Sequence, residues 1–317
     1  MISKNIYKNM ARFKLTLLST VAVLAAASCS DVNDAPQRES GIVVSAVIDM
    51  TRAGYSGVTV LPSKFMMDVI QNGESRYDYK NVRMVKNDGL NTYSPESENV
   101  MYWAGTSYDN VEVKAMTYPY DSDYISPSSN YVSVSTDQST ESEVLASDTL
   151  IATTESDDIS ISNGKISITF KHLFSKLVLR WVLGEGLSDS DITIHSVTLK
   201  DVNIAGYYSY KDMTWSSSTF EGSVKMYHNE ADHQYEALFL PYEPKTAPSL
   251  NMHATVLGAE RLLVCTVPTT TDGFESGKRY SLKVVVRSSS MTLAGASISA
   301  GWTADDEENT FVTKEIN

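Results

Sequence analysis

KISITFKHLFSKLVLRWVL, residues 165–183, decides the fold. KISITF (165–170) and KLVLRWVL (176–183) each alternate apolar and polar or outward residues, the period that puts every second side chain on one face of a sheet. Phe170, Leu173, Phe174 and Leu177 also fit a helical face, but β-branched residues stand on both sides of HLFS. Two strands joined by a bend account for the change of phase better than one helix.

The same alternation recurs outward along the chain, in ITIHSVTL (192–199) and YSLKVVV (280–286). Clusters of Ser, Asp, Asn, Gly and Pro separate the runs, as in YDSDYISPSSN and LGEGLSDSD, and helical periodicity is scarce. LPSKFMMDVIQN is the other exception and could begin a short helix. Ala115-Met116-Thr117-Tyr118-Pro119-Tyr120-Asp121 is echoed by Ala237-Leu238-Phe239-Leu240-Pro241-Tyr242-Glu243, an A-x-x-x-P-Y-acid pattern in which proline ends each strand. With turn residues concentrated at Gly184–Ser188, the echo predicts two all-β halves, 41–186 and 187–317.

The amino terminus explains one of only two cysteines. Lys4, Lys8, Arg12 and Lys14 precede an apolar run from Leu15 to Ala27, and the run ends in Ala26-Ala27-Ser28-Cys29. A basic head, an apolar middle and a small-residue end make a secretory signal over 1–28. The run is too short to span a bilayer, which takes about 20 apolar residues. Its end resembles the lipobox of bacterial lipoproteins, which makes Cys29 the lipidated first residue and 29–40 a flexible tether; plain signal cleavage leaving a free thiol is the competing reading. Several acyl chains are needed for firm anchoring, since each buried CH₂ contributes about 0.8 kcal/mol. Cys265, in LLVCTVP, then has no internal disulfide partner and reads as a small buried residue.

Loss of four basic residues with the signal takes the formal charge from −13 to −17 over 289 residues. No Lys/Arg cluster remains, which argues against a nucleic-acid partner. His172 and His195 lie in strand-like runs and read as packed imidazoles, while His253 is isolated. HNEADH (228–233) reads as a solvated hairpin turn, because its spacing does not make ligands converge on a metal. SDSD (188–191) and ADDEEN (304–309) lack the twelve-residue calcium-loop pattern. Neither a G-x-S-x-G elbow, an H-E-x-x-H helix nor a phosphate loop is present, so the chain reads as non-catalytic and without cofactor. Its 18 tyrosines read mainly as sheet residues, with a glycan-stacking platform as the alternative.

Taken in order, several stretches carry a resemblance: Thr51-Arg52-Ala53, Met101-Tyr102-Trp103, VEVKAMTYPY, DTLIATT (148–154), FKHLFSKLVL (170–179), EALFLPYEP (236–244), FESGKRYSLKVVV (274–286) and SISAGW (297–302). The chain resembles the fimbrillins, pilins and pilus-associated lipoproteins of Bacteroidales. The resemblance implies two β-sandwich domains in series, of transthyretin-like Greek-key type, on a lipoprotein of the outer membrane's surface. It further implies that an Arg-directed protease removes the first strand, here GIVVSAVIDM (41–50), and that a strand from another fimbrial subunit fills the opened groove. Arg52 follows that strand directly and is the expected cleavage position, with Arg38 the second choice. In stalk subunits the donor is a carboxy-terminal extension; here only TFVTKEI (310–316) is strand-capable, which favours a tip, accessory or anchor subunit contacting a host or bacterial surface ligand. A surface glycan-binding lipoprotein is the second reading.

Overall fold

The computed structural model describes residues 41–48, 61–71, 75–97, 99–119, 122–230, 233–269, 271–299 and 302. Among them the chain forms eighteen strands and one α-helix. The all-β expectation holds, and the four runs quoted above all lie in strands. Lys165–His172 and Ser175–Leu183 are separate strands broken at Leu173–Phe174.

The first group consists of β1 (Val43–Ile48), β2 (Lys64–Gln71), β3 (Tyr79–Lys86), β4 (Thr92–Pro95), β5 (Val111–Thr117), β7 (Leu150–Thr153), β8 (Ile159–Ser162) and β9 (Lys165–His172). Their order is β1-β4-β3-β2-β5-β7-β9-β8, and β1 pairs again with β9. Seven strands thus close into a ring, with β8 hanging on β9. A pair of packed sheets was expected here. Alternation cannot separate the two architectures, because a barrel and a sandwich both turn every second side chain inward. Closure is decided by β1 reaching both ends of the sheet. The ring is filled by Val44, Phe65, Met67, Val69, Met84, Ile166, Phe170 and their neighbours.

KFMMDVIQ, within LPSKFMMDVIQN, forms β2 and not a helix. Phe65, Met66 and Met67 are all buried, but Phe65 and Met67 belong to the ring core while Met66 packs into a second core on the other side. Burial on both faces erases the period of two and leaves an apolar run that periodicity alone cannot assign.

The later strands form two five-stranded sheets. One runs β13 (Tyr227–Asn229), β14 (Gln234–Phe239), β10 (Ser175–Leu183), β17 (Arg279–Val286), β18 (Met291–Ser299). The other runs β12 (Thr214–Lys225), β11 (Ile192–Ser209), β15 (Ser249–Val256), β16 (Ala259–Thr266), and β6 (Asn130–Ser133) pairs with β11. Leu177, Leu179, Leu282 and Val284 share one core with Val197, Leu199, Leu250 and Met252. β10, ahead of the expected boundary at 186, pairs among the described residues with β14 and β17 alone. β6, drawn from 130–133, likewise lies on β11. The helix α1 (Glu141–Ser147) follows β6; its N-cap Thr140 accepts a hydrogen bond from the Glu143 N–H at 3.4 Å. Among the described residues no helix is long and apolar enough to cross a membrane.

Candidate functional site

β1 is the first described strand and the closing stave of the ring. It lies parallel to β9, in register from Val43 opposite Lys165 to Ile48 opposite Phe170. On its other side it is antiparallel to β4, with Val44 opposite Tyr93 and Ser45 opposite Thr92. Backbone bonds continue past the ladder. The Ile42 N–H donates to the Met101 carbonyl at 2.8 Å, and the Ala46 N–H donates to Asn91 at 3.1 Å. Without β1, both β4 and β9 become open edges.

Alternation in GIVVSAVIDM places Val44 and Ala46 inward and fully buried, while Val43 and Val47 face solvent at 45% and 51% exposure. The pocket row beneath is apolar and aromatic. Phe65 meets Tyr93 edge-on at 4.8 Å and Phe170 at 5.2 Å. Burial pushes the Tyr93 hydroxyl up to about 12, and it donates to the Pro62 carbonyl at 2.8 Å. Burial of Val44 and Ala46 contributes about 2–4 kcal/mol, and Ile42, just before the strand, packs partly on the same core. Two backbone ladders, to β4 and to β9, join β1 to the ring.

One end of the slot is built by a turn. Asn163 and Gly164 both have positive φ, 50° and 74°, the two-residue turn that matches the twist of a β8–β9 hairpin. The Gly164 carbonyl accepts from Trp103 Nε1 at 3.0 Å and from the Val43 N–H at 3.4 Å. Trp103 in turn packs edge-on against Tyr108 at 4.7 Å. Turn, indole and first strand are thus joined at one point.

Cys29, Arg38 and Arg52, the expected lipidation and cleavage positions, lie outside the described residues, as does the segment 303–317 that holds TFVTKEI. The last described residue, Trp302, is buried. Its ring stacks on His172 at 3.6 Å and 8° and lies 5.5 Å from Lys176 Nζ. Lys176 forms a fully buried ion pair with Glu236 at 2.7 Å, and Gln234 Nε2 donates to the same carboxylate at 2.6 Å. Desolvation lowers the Lys176 pKa to about 8, against the opposing pull of Glu236. His172 Nδ1 lies 2.8 Å from Asp148 Oδ2, so the packed, hydrogen-bonded imidazole read from the sequence is found.

His195, expected as a packed imidazole, is instead exposed and stands beside His253. A bulge in β11 between Ile194 and Ser196 turns His195 onto the outer face, where both imidazoles reach Glu260, at 3.5 and 2.9 Å. Among the described residues no group of three His, Cys, Asp or Glu is placed to hold a metal ion. His228 stacks on Tyr235 at 4.6 Å in the β13–β14 hairpin. Cys265 is buried as expected, and desolvation raises its thiol pKa. Three exposed rings, Tyr131, Tyr207 and Phe220, form a cluster across β6, β11 and β12, with planes tilted 58–67° to one another. Tilted rings pack on each other and do not offer a flat stacking platform.

Comparison with solved structures gives the same fold in distant sequences. A candidate cell adhesion protein from Bacteroides uniformis superposes with a TM-score of 0.57 at 15% identity, over 83% of this chain and 98% of that one. Another from Bacteroides ovatus gives 0.57 at 14% identity, over 84% and 99%. No curated protein matches the chain significantly. The fimbrillin-like family profile matches residues 57–302, most of the chain's length. With its fold and its sequence profile in agreement, the chain belongs to the fimbrillin-like family.

Proposed function

We propose that the chain is a non-catalytic cell-surface fimbrial subunit or adhesion lipoprotein that joins its neighbours by strand exchange, in a tip or accessory position. The observation that carries the reading is β1, the first described strand, which bridges β4 and β9 and turns Val44 and Ala46 into the core. Its removal leaves two unpaired edges over an apolar row, which a partner's extended segment fills through backbone ladders and alternate side chains. Arg52 is the cleavage position and Cys29 the lipid anchor to the outer membrane.

The test is to incubate the purified precursor with a trypsin-like protease and follow mass and oligomer size. Cleavage after Arg52 followed by rods or ladders is expected. A product lacking residues up to 52 that stays monomeric with its fold intact overturns the reading. For the anchor, Cys29→Ala is expected to release the protein from the membrane fraction, and undiminished membrane association contradicts it.

A further inference from the structure

A pocket of about 360 Å³ opens on the outer wall of the ring, away from the β1 slot, at the small end of the range for ligand sites. Asp68 of β2, Lys80 and Asn81 of β3, Glu112 and Lys114 of β5, and Lys211 line it, together with two apolar residues. A bulge builds its centre. The β2–β3 register shifts between Met67 and Val69, and Asn81 takes a left-handed φ of 55°. The Asn81 N–H then donates to Asp68 Oδ1 at 2.7 Å.

The second wall is fixed from a distant part of the chain. Lys114 Nζ donates to the Lys211 carbonyl at 2.7 Å and lies 2.8 Å from Glu112. Tyr210 donates its hydroxyl to the Lys114 carbonyl at 2.9 Å. These bonds pin the β11–β12 turn against β5 and neutralise Lys114 internally. The exposed ammonium groups of Lys80 and Lys211 form no ion pair among the described residues. Asp68 is half-buried, and desolvation raises its pKa; a hydroxyl donor on its second oxygen would offset that cost.

The lining therefore asks for two things in one small ligand: an anion for two lysines, and O–H donors for two carboxylates that can only accept. Inorganic phosphate supplies the charge without enough donors, and a neutral sugar supplies donors while leaving the lysines unmatched. We propose that this pocket binds the carboxylate-bearing sugar of a surface glycan, its carboxylate between Lys80 and Lys211 and its hydroxyls on Asp68. The proposal deepens the adhesion half of the proposed function and rests on it.

The experiment titrates the mature full chain with N-acetylneuraminic acid and with glucuronic acid, read by ligand-observed NMR and calorimetry. Galactose and inorganic phosphate are the controls. At least one acidic sugar is expected to bind about tenfold more tightly than either control, and which of the two does so identifies the source. The exposed double variants K80A/K211A and K80Q/K211Q, each with unchanged circular dichroism, are expected to lose about tenfold in affinity. Equal binding of galactose or phosphate, no binding of either acid, or unchanged affinity in both variants overturns the proposal. The protease assembly assay on the same preparations is read by oligomer size. Failure of sugar binding with rods still forming therefore sinks the pocket and leaves strand exchange standing.

Discussion

Lys176 and Glu236 show what a single pair does inside this fold. Both side chains are withdrawn from water, so their attraction has first to offset the desolvation of two charges. Replacing Lys176 alone by Met is expected to leave Glu236 uncompensated and cost about 3–5 kcal/mol, measured by urea unfolding. K176M/E236Q is expected to recover most of that loss, because the amide removes the buried charge and still accepts from Gln234 and Asn229. At the mouth of the strand slot, Gly164 holds φ at 74°, and a Cβ there would meet Trp103 and Tyr108 no closer than 3.6 Å. Space is sufficient, so the expected cost of Gly164→Ala is the backbone strain alone, about 1 kcal/mol by the same measurement.

At the scale of the element, β1 and β2 make opposite points. β1 keeps a clean alternation because one face sees the core and the other sees water, so GIVVSAVIDM was readable as a strand from its residues. β2 loses that alternation between two cores, so its apolar run alone does not assign it. The helix α1 had a signal that went unused: Thr140 and Glu143 form the T-x-x-E start of a capped helix, and the cap bond is present. For β1 a peptide experiment follows. Cleaved protein mixed with excess GIVVSAVIDM is expected to stay monomeric, because the peptide refills the slot. The same peptide with V44D is expected to permit assembly, since it would bury an unpaired carboxylate against Phe65 and Tyr93. Equal inhibition by both peptides, followed by size-exclusion chromatography, contradicts a side-chain-specific slot.

Across the molecule, six tyrosines carry their hydroxyls in buried surroundings. Burial raises the hydroxyl pKa of Tyr93 and Tyr235 to about 12, and shifts Tyr208, Tyr210, Tyr242 and Tyr280 further in the same direction. A pKa above the unfolded value of 10.0 means that the native state keeps its proton longer than the unfolded chain. The associated stability is complete below pH 10 and falls away as pH rises through about 12. In an alkaline titration, part of the tyrosinate absorbance at 295 nm is expected to appear only together with loss of the sheet's circular dichroism. Full tyrosine ionisation with the sheet signal intact would contradict it.

The sequence by itself determined the all-β class, the strands in the clearly alternating runs such as KISITF and YSLKVVV, and the buried character of Cys265 and His172. Those features are local: they depend on alternation, turn residues and charge within a few positions. Only the tertiary structure decided that the first sheet closes, that β10 joins later strands, and that Lys80, Lys114 and Lys211 meet Asp68 in one pocket. These depend on which distant edges pair and where bulges fall. A one-dimensional pattern cannot specify either, because the same alternation satisfies an open sheet, a sandwich and a ring equally well.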